Sequence, residues 1–179
     1  MSRIGRAPIT IPSGVDVKLV DGIITVKGPK GTLTRDINSI IKCEVNNGKI
    51  VFTRPNEDKE TRAKHGLYRA LVNNMVHGVT HGYDKALVIN GIGYKAQVVG
   101  NKLVLNIGYS HPVEFVAPAG ITFTCPSITD IVVSGVDKEL VGQVAANIKA
   151  SRVIEPYHAY GVRYKTDVVV IKEGKKAGK

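Results

Sequence analysis

Thiols, long apolar runs and paired acids are all scarce in this sequence, and each shortage removes a class of protein. Cys43 and Cys125 are its only 2 cysteines, far apart, with no CxxC and no nearby pair of histidines. A disulfide scaffold or thiolate metal site needs more thiols, set closer together. The two are expected to act as small buried apolar side chains in a reducing compartment. No apolar run approaches the ~18 residues of a membrane-spanning helix. The start, "MSRIGRAPITIPSG", lacks the apolar stretch of a secretory leader. A cytoplasmic protein is the expectation. No GxSxG or HExxH string occurs, the glycine pairs in "VKGPKGT" and "NGIGYK" lack the closing GK[ST] of a phosphate-binding loop, and the carboxylates form no recognisable pair. His77 and His81 stand four apart without a third ligand. The reading is a protein that is not an enzyme, with no cofactor and no metal.

What is present is a foldable, basic chain. Of 179 residues, 43% are hydrophobic and 22% charged, the balance of a globular protein. The formal net charge of +10 attracts polyanions, and nucleic acid ranks ahead of an anionic membrane because no basic amphipathic helix dominates. The charge is uneven. Residues 1–82 hold 13 Lys/Arg against 7 Asp/Glu, residues 83–148 hold 4 against 5, and residues 149–179 hold 8 against 3. A near-neutral block followed by a basic end suggests an electrostatic binding surface there.

The chain reads as one unit used twice. "VKLVDGIITV" (17–26) and "AQVVGNKLVL" (96–105) are β-rich runs, 79 residues apart, each broken by a hairpin dipeptide, Asp21-Gly22 and Gly100-Asn101. Each is followed by a glycine turn into an extended segment and then by a further strand, "KIVFTRP" (49–55) or "DIVVSG" (130–135). A helix comes next in both halves. The first, about 58–78, offers a stripe of Ala63, Leu67, Ala70, Leu71 and Met75; the second, about 137–152, offers Leu140, Val141, Val144, Ala145 and Ile148. The expected fold is α+β, two tandem similar domains, each a mostly antiparallel sheet with one packed amphipathic helix. The domains are placed at 1–82 and 83–179, joined near "HGYDKALV".

Two stretches of the second half suit nucleic acid. In "NGIGYKAQV" (90–98), Gly91 and Gly93 leave backbone bare for a phosphate or sugar, with Tyr94 to stack and Lys95 to neutralise; a bulged strand explains the same residues. In "EPYHAYGVRYK" (155–165), Glu155-Pro156 and Gly161 predict an irregular loop. Tyr157, Tyr160 and Tyr164 offer planes for bases or riboses, or else plug a small core. Arg163 and Lys165 offer phosphate partners. Lys149 and Arg152 close the second helix, where its dipole favours them, and count also as candidate contacts. The tail "KEGKKAGK", with Lys172, Lys175, Lys176 and Lys179, is too polar to pack and is expected to order along a phosphate backbone.

At these residues the chain resembles the bacterial ribosomal protein L6 family. The resemblance runs through "MSRIGRAPI", "VKGPKGTL", "HGLYRALVNNMVHGV", "GIGYKA", "LNIGYSHPV", "DKELVGQVAANI", "EPYHAYGVRY" and "KEGKKAGK". It implies a non-catalytic constituent of the large subunit that binds large-subunit (23S-type) ribosomal RNA mainly through its second domain and C-terminal tail. It also implies neighbouring ribosomal proteins as partners and a place near the stalk base, toward the factor-binding region. The family's C-terminal pattern is close to PEPYKGKGIRY. Glu155, Pro156, Tyr157, Gly161, Arg163 and Tyr164 match it, whereas His158 and Tyr160 replace lysines and Ala159 a glycine. His158 then contributes when protonated and Tyr160 by stacking. A different reading of the same charge is a protein-interaction module whose sheets grip an acidic partner.

Overall fold

The computed structural model describes residues 3–37, 40–46 and 48–175. Its chain contacts divide it into a first unit ending at Gly82, joined by Val136–Lys138, and a second unit of Tyr83–Gly135 and the residues from Glu139 onward. Each unit is built on antiparallel strands around one main helix, the α+β tandem arrangement expected.

In the first unit a short helix, α1 (Arg3–Arg6), leads to β1 (Ile9–Thr10), β2 (Asp16–Val20), β3 (Ile23–Gly28), β4 (Gly31–Asp36), β5 (Lys42–Asn46) and β6 (Lys49–Thr53), then α2 (Lys59–His81). The strands form two sheets, β2-β3-β4 and β1-β6-β5. The Asp21-Gly22 dipeptide makes the first hairpin, with φ of 49° and 80° and Val20 opposite Ile23. The core lies between strands and helix: Ile24, Val26, Ile50, Phe52, Val72 and Val79 are all buried.

The helix turns a different face inward from the one its aliphatic residues mark. Met75 is buried, but Leu67 is 52% exposed and Ala63 is exposed. The buried line is Thr61, His65, Val72, Val76 and Val79. Counting aliphatics missed it because its N-terminal half is polar. His65, 3% exposed, donates from Nε2 to the Phe52 carbonyl at 3.0 Å, which leaves Nδ1 to accept from Arg54 Nη1 at 3.4 Å. A paired histidine can sit where an apolar residue was expected. Arg69 donates from Nε to the Ala7 carbonyl at 3.0 Å and so ties down the N-terminal arm.

The second unit repeats the order: β7 (Tyr83–Asn90), β8 (Lys95–Val99), β9 (Lys102–Asn106), β10 (Val113–Val116), β11 (Ile121–Thr124), β12 (Asp130–Gly135), α3 (Lys138–Ser151) and β13 (Gly161–Tyr164). Its sheets are β10-β9-β8 and β11-β12-β7-β13. Here the expected stripe faces the core: Val141, Ala145 and Ile148 are buried, and Leu140 and Val144 pack beside them. Ser134 lies in β12, opposite Thr122 and Asp84.

Residues 155–165 are not wholly an irregular loop: their second half is β13, antiparallel to β7, with Val162 opposite Ile89 and Arg163 opposite Val88. Val162, fully buried, anchors the strand. Gly161 read as a breaker, but at φ 141° it opens the strand. A side chain there would collide with backbone, its Cβ 2.8 Å from Ile154 Cα and 2.9 Å from the Arg152 carbonyl oxygen.

Candidate ribonucleic-acid interface

Candidate residues from three separate stretches meet at β7 and β13. Asn90 ends β7 opposite Gly161, and its side-chain amide donates to the Ala159 carbonyl at 2.9 Å. The Gly91–Tyr94 turn therefore starts beside the 155–165 segment. Two backbone bonds complete the junction: Val162 N–H donates to the Arg152 carbonyl at 2.9 Å, and Glu155 N–H to the Tyr160 carbonyl at 3.0 Å. The C-terminal end of α3 is thereby fixed to the same place.

At the turn, Gly91 has φ 154° and Gly93 φ 75°. A Cβ on Gly91 would strike the Tyr94 ring, which also lies against Gly108. Tyr94 is half-buried and packs on the core, so its ring is a packing element first. Ile92, 86% exposed, forms the tip, and Lys95 is exposed. The Arg152 guanidinium lies 6.0 Å from the Tyr94 ring centroid and 5.0 Å from that of Tyr109, a cation–π arrangement. The Tyr109 hydroxyl donates to the Ser151 carbonyl at 3.0 Å. Tyr109 was not singled out from sequence; its one signal was its place in the "LNIGYSHPV" stretch.

Along β13 the cations are engaged within the protein. Lys149 Nζ is 2.6 Å from Asp167 Oδ2 and 4.5 Å from the Tyr164 ring centroid, with Lys85 5.4 Å from the same ring. The hydrogen bond from Lys149, aided by one from Tyr164 N–H, holds the Asp167 carboxyl below the usual carboxylate range. Arg163 Nη1 donates to the Asp167 carbonyl at 3.0 Å. Lys165 extends the ladder, its N–H donating to the Ala86 carbonyl at 3.0 Å, and is exposed. Asp167 organises three of these groups, and sequence gave no sign of it because the residues it joins lie up to 18 positions away.

The segment between helix and strand carries the aromatic faces. Tyr157 is 51% exposed, whereas Tyr160 and Tyr164 are half-buried. His158 stacks on Tyr160, ring centroids 5.3 Å apart, and donates from its ring Nδ1 to Glu155 Oε1 at 3.0 Å. Burial opposes the charge on Glu155, but hydrogen bonds from His158 hold its carboxyl below the ordinary range. Ala159 has φ 58°, in the region where a side chain costs about 1–2 kcal/mol. Lys172 and Lys175 are exposed, and Lys172 N–H donates to the Pro156 carbonyl at 2.8 Å. Lys176 and Lys179 lie outside the described residues.

Among the described residues no three His, Cys, Asp or Glu side chains are placed to hold a metal, and no helix is long and apolar enough to cross a membrane. Both cysteines are free; burial, with the charge of Glu44, pushes the Cys43 thiol up to about 11. The described residues define a duplicated α+β protein with cations and tyrosines gathered at one end of its second unit.

Comparison with known proteins gives the class its family. The pattern described as Ribosomal protein L6 matches residues 11–82 and 90–165, once in each unit. The chain is 55% identical over 179 residues to the large ribosomal subunit protein uL6 of Caldicellulosiruptor bescii, covering 100% of this chain and 98% of that one. It is 52% identical over 175 residues to uL6 of Enterococcus faecalis, with 98% of each covered, and 53% identical over 175 residues to uL6 of Shouchella clausii, again with 98% of each covered. The chain belongs to the L6 family of large-subunit ribosomal proteins. The family's role is structural, within the large subunit of the ribosome, and it is not a class of enzymes.

Proposed function

We propose that this chain binds large-subunit (23S-type) ribosomal RNA through its second unit and C-terminal tail, and stabilises the fold of that RNA near the stalk base and factor-binding region. The supporting observation is the convergence at β7 and β13: the Gly91–Tyr94 turn, the end of α3 and the 155–165 segment come from distant sequence and are bonded into one surface. Arg163 and Lys165 are its phosphate partners, with the tail lysines Lys172, Lys175, Lys176 and Lys179 following the backbone. Lys149 and Arg152 add charge while engaging Asp167 and the rings of Tyr94 and Tyr109. Gly91 and Gly93 let RNA backbone approach beside Lys95. Tyr157 provides the open aromatic face, with Tyr164 under the Lys149 cation and His158 stacked on Tyr160. Neighbouring ribosomal proteins complete the partner set, and the cytoplasmic ribosome is the site of action.

The test is co-purification with large-subunit particles through a high-salt wash, for the full chain and for a chain ending at Val170. The full chain is expected to stay bound. The shortened chain is expected to wash off at lower salt, with a flatter dependence of affinity on salt, because fewer counterions are released on binding. An unchanged slope removes the tail from the interface.

A further inference from the structure

We propose that the first unit carries a docking site for an extended segment of a partner protein, apolar and basic residues in alternation, that adds as a strand to the outer edge of β5. Among the described residues β5 is paired on one side only, with β6. Its other edge presents main-chain donors and acceptors, the template for strand addition. Beside that edge lies a hollow reaching from the β2–β3 turn and the end of β4 across to β5. Leu19, Ile37, Ile41 and Cys43 make its apolar part. Ile37 and Ile41 are buried and form the floor, while Leu19 and, further along β5, Val45 are each 38% exposed. Alternate side chains of an added strand would find the aliphatic contacts they need there.

Charge selects the occupant. In a chain of net charge +10, the hollow is rimmed by Asp21, Asp36 and Glu44 against Lys42 alone. That sign repels nucleic-acid phosphate and favours lysine or arginine, so a basic peptide segment fits and RNA does not. The inner side chains of β5 remain partly uncovered because the core helix serves β6: Ile50 and Phe52 are buried, whereas opposite them Val45 is exposed and Cys43 half-buried.

The experiment uses the full chain and a synthetic peptide of about six residues, one strand in length, alternating valine with lysine. A counterpart carries glutamate for lysine. Each is tested for protecting Cys43 from alkylation, with Cys125 as the internal reference. The lysine peptide is expected to slow Cys43 labelling about tenfold and leave Cys125 unchanged. The glutamate peptide is expected to have no effect, and protection should be lost in Asp36→Lys/Glu44→Lys and weakened in the milder Glu44→Gln. Equal protection by the glutamate peptide, protection that survives in both variants, no protection of Cys43, or protection by a short RNA in place of the peptide would each overturn the proposal.

Discussion

One methyl group at position 161 has nowhere to go. The backbone of Ile154 and Arg152 is too close for it, and φ of 141° strains any side chain. Gly161→Ala is therefore expected to destabilise the protein by about 3 kcal/mol, read by urea unfolding. Asp167 supports a prediction on pH. Its folded-state pKa is depressed, chiefly by the hydrogen bond from Lys149, so its contribution is fully present above the ordinary carboxylate value of about 3.9 and is lost as pH falls through the lower folded value. Thermal melts in this acid window should show Asp167→Asn losing less stability on acidification than the parent chain. Equal acid sensitivity would mean that the Lys149 pair contributes nothing at this site.

The elements differ in how much of them could be read in advance. The β2–β3 hairpin, α3 and its buried face follow from neighbours in sequence, turn dipeptides and a regular apolar stripe, and these were legible. Strands β1 and β13 were not: each is short, and pairing with a distant partner decides it. Val162 shows the difference, since one buried valine opposite Ile89 makes a strand of a segment whose proline and glycine signal a loop. The buried face of α2 was misjudged because His65 and Thr61 carry it into the core. The residue types of the candidate interface were legible as cations and tyrosines, but their internal partners, above all Asp167, were not. For α2 the two faces predict opposite results in denaturant. Val72→Ala should cost about 2 kcal/mol, and Leu67→Ala should stay within about 0.5 kcal/mol. The reverse order would restore the aliphatic stripe as the core face.

Across the whole molecule, the two units share a plan and differ at one edge. The order β1-β6-β5 in the first corresponds to β7-β12-β11 in the second, but among the described residues only the second adds a strand, β13, beyond its β7. After α2 the chain passes into the next unit, whereas after α3 it is available to return as β13. That extra strand carries Arg163 and Tyr164, leads into Lys165 and the tail, and holds the end of α3 through the Arg152 carbonyl. Duplication thus supplies a stable body, and the departure from duplication supplies the surface proposed for RNA.

The central claim is that the surface built around β13 binds ribosomal RNA through its cations. Its most direct measurement is the dependence of affinity on salt for a large-subunit ribosomal RNA fragment, comparing the parent chain with Arg163→Gln/Lys165→Gln. Losing two phosphate contacts should lower the log–log slope by about 2 and weaken binding at moderate salt, with unfolding stability measured alongside. A slope identical to the parent's, in a variant that folds as well, would contradict the account.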